Sequence, residues 1–487
     1  MDNGQTRRAA FSSVARAIGA SSFMSLIDES RARAVPDIGK FPPSGLFMHA
    51  KNVRETGAKL DGGTDDSIPL TRALETTGAA FFEGEMFINS VVRLPNQSCL
   101  LGTGVWQSRL ILGPNGKILA EGDGWDKWLT GISIRNLTIA MQDAIKSVRE
   151  PGLDLRKVEH VLIENVNLYH LRTSIDNHHN IVFNNVRFFG GIHGSALLSQ
   201  CSFQPSGGHF INSSPLFEAC FSSGHPFYFE DTVETTFSNC KIFAGSCGIS
   251  SRRHRALGTT DEPFLMGPVI IGCTLDSIDG AGIQIDGGGT NCRLIGNFIS
   301  AGRKGGRPGL ACSNSHGVEI IGNHFEWCGK SAIQLVGSSE IIISGNTFAN
   351  QLNGNGITAN KSTSIKVTSN SFFNRGLWGG SRGGATEMAI STPASDADGW
   401  IVTGNSASGM REDAVAIVRG TATRGRNIVR DNIGFPWSTE QGWPAGATSE
   451  RPANVRDGFL WYDTDVERTL MWNADGKHWQ DTSGKIV

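Results

Sequence analysis

The sequence predicts an all-β solenoid, a chain wound into stacked coils of short strands, and three observations carry this. First, residues 318–349 read VEIIGNHFEWCGKSAIQLVGSSEIIISGNTFA, in which IIGNHF returns 23 residues later as IISGNTF. Second, cousins of that phrase recur from ISIRNLTI to NIVRDNIG. Their equivalent positions are Leu137, Val166, Val186, Cys201, Cys220, Cys240, Cys273, Asn297, Asn323, Asn346, Asn370, Asn405 and Asn432, spaced 15 to 35 residues apart. A repeat of this period marks a solenoid. Third, each unit is rich in β-branched residues, alternates apolar and polar side chains, and is bounded by Gly, Asn and Ser, as strands are.

A unit of some two dozen residues with two or three short strands is one coil of a parallel β-helix. The leucine-rich repeat competes at this period, but its Leu-x-x-Leu-x-Leu frame is absent. Equivalent inward side chains of successive coils lie ~4.8 Å apart. An asparagine at such a site passes amide hydrogen bonds from coil to coil, as in other ladders. The column is expected to change from small and thiol residues to asparagine partway along, and the repeated phrase is read as one wall of one coil.

Composition agrees and excludes other classes. Of 487 residues 61 are glycine, only 18% are charged, and the net charge is −2, which gives no electrostatic reason for a nucleic-acid partner. The longest apolar runs fall far short of the ~20 residues of a membrane span, so no membrane insertion is expected. The nine cysteines lack a CxxC pair and sit in apolar runs, as buried free thiols do in a protein that folds in a reducing cytosol.

Taken in order, residues 1–50 form a connector. Phe11, Val14, Ile18, Phe23, Leu26 and Ile27 have helical spacing between basic flanks, and Arg16 interrupts the apolar stretch that an export signal after Arg7-Arg8 requires. Residues 51–105 cap a β-helix domain that runs to 435. Here GAKLDGGTDDS precedes an amphipathic helix over 65–76, with Pro69 in its first turn, where proline is tolerated. Asp65 and Asp66 stand before that helix, where carboxylates satisfy free N–H groups and meet the dipole.

The stretch resembles the opening of the pectate-lyase-like β-helices of bacteriophage tailspikes. The resemblance rests on Gly57, Asp61, Gly62, Thr64, Asp65, Asp66 and Ser67, then Gly84, Phe87, Leu94, Pro95, Leu101, Gly102 and Gly104. It departs from the frame in having Phe87 where tyrosine is usual. Residues 436–487 resemble the tip module that closes many phage tail fibres and tailspikes, through Arg451-Pro452, Asn454, Gly458, Tyr462-Asp463-Thr464, Trp472-Asn473, Gly476, Trp479 and Asp481. Its strands read as short hairpins with aromatic pairs, one closed by Asn473–Gly476 with Gly476 in the left-handed region.

The resemblance implies a right-handed parallel β-helix and a homotrimer in the virion tail. It also implies attachment to other tail proteins through the N-terminus, and a bacterial surface polysaccharide as partner. Exposed aromatics of the tip module are expected to be buried between chains.

No nucleophile elbow, phosphate loop, HExxH or metal-spaced Cys/His cluster occurs, so no metal or cofactor is expected. What remains is carboxylates along a polar groove, the equipment of a glycosidase. Aligning the second strand of successive coils on the inward residues Phe229, Ser251, Ile285, Cys312, Leu335 and Ala359 stacks Glu230, Arg252, Asp286, Ser313, Val336 and Asn360 outside. The column one step earlier holds Tyr228, Ser250, Gln284, Ala311, Gln334 and Thr358.

Glu230 and Asp286 fall two coils apart, roughly 9.6 Å, at the wide end of the spacing of an inverting pair. Tyr228, Arg252, Arg253, Gln284 and Gln334 are the expected substrate contacts, with Trp327. A rival acid set is Asp276 with Asp279 and Glu326, Asp276 and Glu326 also being two coils apart. His178-His179 reads as a solvated turn. A lyase, with Tyr228 or a histidine as base and Arg252 as neutraliser, and a non-catalytic spike are the alternative readings.

Overall fold

A computed structural model describes residues 49–487 apart from 124–126, 143–150, 190–196, 201–207, 212–213, 217–226, 231–234, 244–246, 253–264, 267, 288, 291, 303–305, 350, 352–354, 374–389, 392–397, 409–427, 434–444, 452–459, 474–476 and 482–483. Thirty-seven strands of the described residues join in one sheet that winds round a single apolar axis. Each coil contributes three walls, and each wall pairs in parallel with its equivalents above and below. The first wall includes Arg293–Ile295, Glu319–Ile321 and Ser339–Ser344. The second includes Phe298–Ala301, His324–Glu326 and Thr347–Ala349, and the third Leu310–Ser313, Ile333–Val336 and Ile357–Asn360. The right-handed parallel β-helix expected from the sequence is the fold.

The turn between first and second walls explains the repeated dipeptide. Its leading residue has positive φ in coil after coil: 56° at Asn136, 52° at Asn165, 63° at Gly322 and 64° at Gly345. Glycine and asparagine are the residues that enter this region at least cost. The next residue then points inward. Asn297, Asn323, Asn346, Asn370, Asn405 and Asn432 form a continuous ladder, each amide donating to the Oδ1 of the next at 2.8 to 3.0 Å. The ladder joins the thiol section where Cys273 N–H donates to Asn297 Oδ1 at 2.8 Å.

The described strands near two members assigned to that column from the sequence give a different coil count. Gly208–Ile211 pairs with Ile181–Asn184 below and its His209–Ile211 with Thr236–Ser238 above, so one coil, not two, separates Val186 from Cys240. Leu197–Gln200, just before Cys201, belongs to the third wall, and Cys201 and Cys220 lie outside the described residues. A short apolar strand carries no mark of the wall it joins; hydrogen-bond register decides it. His178 and His179, read as a turn, lie instead in a strand opposite Val158 and Glu159.

Beside the ladder, Phe325, Phe348 and Phe372 stack inside the second wall, with ring centroids 5.4 and 4.6 Å apart. The described cysteines are buried thiols outside any disulfide. Burial pushes the thiols of Cys312 and Cys328 up to about 12 and that of Cys99 to about 11, so they remain protonated.

The cap is α1, Ser67–Thr77. It buries Leu70, Ala73 and Leu74 over the open end of the core and stops at Gly78, whose φ of 72° lets its N–H reach Leu74 O. Asp65 accepts from the N–H groups of Ser67 and Asn89 at 3.0 and 3.1 Å, as expected of a cap. Asp66, at the N-cap position, turns away and accepts from Lys59 and Leu60 N–H at 2.8 and 3.0 Å, closing the preceding loop.

The end of the chain forms a separate small sheet in which Leu460–Asp463, Arg468–Asn473 and His478–Asp481 run antiparallel. Trp461, Leu470 and Trp479 make its core, and among the described residues Tyr462 is an exposed aromatic there. The Gly476 turn and residues 1–48 lie outside the described residues.

Candidate active-site face

Register along the third wall stacks the residues aligned from the sequence. Glu230 pairs with Arg252, Arg252 with Asp286, Asp286 with Ser313, and the column continues through Val336 to Asn360. One step earlier, Tyr228, Ser250, Gln284, Ala311, Gln334 and Thr358 stack in the same way. The alignment is legible because side chains alternate strictly in a strand, so fixing one inward residue fixes the whole face. Asp286, Gln284 and Gln334 are half-buried, whereas Ser250, expected at the surface, is fully buried. The side chains of Tyr228, Glu230 and Arg252, and the whole of Arg253, lie outside the described residues.

The second acid set lies on the second wall. Asp276 follows Leu275 into a bulge, where the pairing slips between Leu275↔Ile299 and Ile278↔Ala301 and Ser277 takes a φ of 60°. An extra residue in a strand re-aims the neighbouring side chains outward. Asp276 is half-buried and accepts from Ser277 Oγ at 3.4 Å. Asp279 is in the turn that follows, also half-buried.

Two coils on, Glu326 Oε2 lies 3.2 Å from His324 Nε2, and the imidazole stacks on Phe298 with centroids 5.5 Å apart. Trp327 comes next, with a φ of 53°, and ends the strand. An acid held beside an imidazole is an arrangement that general acid–base chemistry can use.

Sequence reasoning missed what precedes Asp276 in its column. At one register position the second wall pairs Tyr169↔Phe189, Phe189↔Leu216, Leu216↔Phe243 and Phe243↔Asp276. An apolar, largely aromatic file therefore leads to the second acid set. The signal was available, since Tyr169, Phe189 and Phe243 each stand three residues after their ladder position.

Among the described residues no cluster of side chains is arranged to hold a metal, and no helix is long and apolar enough to cross a membrane.

These features define a right-handed parallel β-helix protein with acid-bearing outer walls. Residues 308–435 match the family described as the right handed beta helix region. None of the curated proteins matches the chain.

Among solved structures, the chain is similar to tailspike protein 3 of bacteriophage CBA120 (21% identity, TM-score 0.72), over 91% of this chain and 70% of that one. It is also similar to the pre-mature gene product 12 of bacteriophage phi29 (14%, TM-score 0.57, 79% of this chain and 56% of that one). A third is the A-module of a mannuronan C-5 epimerase of Azotobacter vinelandii (12%, TM-score 0.50, 76% and 98%). At these identities the likeness is one of fold.

Proposed function

We propose that the chain is a tailspike of a bacteriophage that binds a bacterial surface polysaccharide and depolymerises it by glycosidic hydrolysis. The observation that carries this reading is the acid–arginine–acid column Glu230, Arg252 and Asp286, flanked by Gln284 and Gln334. Two carboxylates two coils apart, ~9.6 Å, leave room for a water beside the scissile bond. One protonates the departing oxygen while the other takes the proton of the attacking water. The similarity to a tailspike over nine-tenths of the chain supports the setting, and the similarity to an epimerase module supports a glycan as ligand.

The aromatic file ending at Asp276 favours a second assignment of the same chemistry, to Asp276, Asp279 and Glu326. Aromatic faces pack against the C–H faces of sugar rings and would lead a glycan to those acids. A third reading, lyase cleavage with Tyr228 or a histidine as base and Arg252 as neutraliser, needs a uronic acid substrate. It leaves an unsaturated product that absorbs in the ultraviolet.

The test is to incubate the protein with capsular, exopolysaccharide and O-antigen preparations, following polymer size and ultraviolet absorbance together. A fall in size without new absorbance is the expected result. A fall with absorbance selects the lyase, and binding without any fall selects a non-catalytic receptor-binding spike.

In the same reading the protein acts as a homotrimer in the virion tail, joined to another tail protein through residues 1–50. Light scattering that finds a stable monomer rejects the trimer. Deleting residues 1–45 should spare folding and cleavage while abolishing incorporation into virions; loss of folding rejects the connector.

A further inference from the structure

On the early coils the chain builds a site that the acid faces do not use. The 103–107 segment folds across the start of the second wall, where the Thr138 hydroxyl donates to the Val105 carbonyl. Between them opens a groove of about 310 Å³, lined by Trp106, Asn136, Asn165, Asn167, Asn185 and Arg187.

Each side of the groove has its own chemistry. Trp106 is 67% exposed, a large aromatic face turned to solvent. Opposite it runs an external amide ladder in which Asn165 Nδ2 donates to Asn136 Oδ1 at 3.1 Å and Asn185 Nδ2 to Asn165 Oδ1 at 2.8 Å. Asn167 lines the groove at 2% exposure, and its buried Nδ2 has no hydrogen-bond partner. Buried amide donors are nearly always satisfied, so an unsatisfied one on a residue of the groove wall is a donor that a small turn of Asn167 would offer to a ligand acceptor. Arg187, one coil above Asn167 in the same column, adds an exposed cation. Two residues further along the strands, Tyr169 lies flat on Phe189 with centroids 4.1 Å apart, so the same outer face continues as an aromatic surface.

An aromatic plate facing a row of amides fits one class of ligand. A pyranose ring has an apolar C–H face, which packs on the electron-rich face of an indole, and equatorial hydroxyls that both donate and accept. We propose that this groove binds a pyranose residue of a glycan chain, its ring on Trp106 and its hydroxyls on Asn167, Asn165 and Arg187. The inference rests on the reading above that the ligand of this protein is a polysaccharide. It adds a holding site several coils before the acids. Because the aromatic file of the second wall starts here and reaches Asp276, a polymer held at Trp106 is laid along that file.

The experiment labels the protein with 5-fluorotryptophan and assigns the Trp106 fluorine resonance by its loss in Trp106→Phe. Methyl pyranosides of glucose, galactose, N-acetylglucosamine and glucuronic acid are then titrated to millimolar concentration. Saturable movement of the Trp106 resonance with at least one of them is expected. Asn167→Ala and Arg187→Ala should each weaken that binding about tenfold, a loss of about 1.4 kcal/mol, with unchanged circular dichroism. On long polymer Trp106→Ala should raise KM and leave kcat on short fragments unchanged, and Trp106→Phe should restore most of the KM.

A Trp106 resonance unmoved by every glycoside overturns the proposal, and so does Trp106→Ala acting only by changing the oligomeric state. The two readings fail separately. A protein that cleaves polymer with a silent Trp106 loses only the groove, and one that binds at Trp106 but cleaves nothing loses only the depolymerase.

Discussion

Asn323 donates its side-chain amide to the Oδ1 of Asn346 across 3.0 Å, and Asn346 passes the same bond to Asn370 at 3.0 Å. Asn346 Nδ2 also donates to Ile320 O at 2.8 Å, and its Oδ1 accepts from Asn323 N at 2.8 Å. Truncating one member strands buried donors of the preceding coil, each costing ~1–3 kcal/mol. Asn346→Ala should therefore destabilise the β-helix by about 3 kcal/mol, while Ser371→Ala, on an exposed hydroxyl pair, should change it by less than about 0.5 kcal/mol. Denaturant midpoints of the two variants measure the contrast, and equal midpoints would mean that the ladder contributes nothing specific.

The two acid sets make opposite forecasts. Glu230→Gln and Asp286→Asn should each lower turnover by ~10²–10⁴, because an amide keeps the volume but can neither give an acidic proton nor take one. Asp276→Asn and Glu326→Gln should then stay within about tenfold of wild type. Steady-state cleavage rates on one polymer decide it. The reverse pattern moves the chemistry to the second wall, with His324 as the partner of Glu326.

At the cap, burial raises the Asp65 carboxyl, but bonds from the Ser67 hydroxyl and from Asn89 and Ser67 N–H outweigh it and hold it below the usual carboxylate range. Asp61 is lowered to about 2 by the N–H groups of Thr64 and Gly63. Groups depressed on folding add stability that is complete above their unfolded pKa, near 4, and is lost as pH falls through the folded value. The melting temperature should thus decline between about pH 4 and pH 2. Asp65→Asn should cost ~0.5–2 kcal/mol at pH 7 and flatten that decline. A variant with an unchanged acid limb would show that Asp65 is not one of the groups responsible.

In the small C-terminal sheet module Arg451 Nε meets the fully buried Asp463 at 2.5 Å. Burial raises that carboxyl, yet Arg451, the Val466 N–H and Thr448 together hold it low. Removing one partner of a buried pair costs ~3–5 kcal/mol, since the other charge stays unpaired. Arg451→Ala should abolish the near-ultraviolet signal of Trp461 and Trp479 while leaving the β-helix transition in place. A single transition shifted as a whole would mean instead that the module and the helix unfold together.

Much of the molecule was legible beforehand because a solenoid repeats its physics locally. The period and the inward asparagine both lie within one coil, and strand alternation carried the alignment of Glu230, Arg252 and Asp286 across coils. What the sequence by itself determined was therefore the winding and the faces.

Tertiary structure decided which wall each short strand joins, because pairing register depends on partners 20 to 30 residues away. It alone decided that Trp461 and Trp479 pack together with Leu470 inside one small module. It also alone brought Trp106 over Asn165, Asn167 and Arg187, from residues 59 to 81 positions later in the chain. No local periodicity encodes that contact; it exists only because three later coils stack beneath the loop.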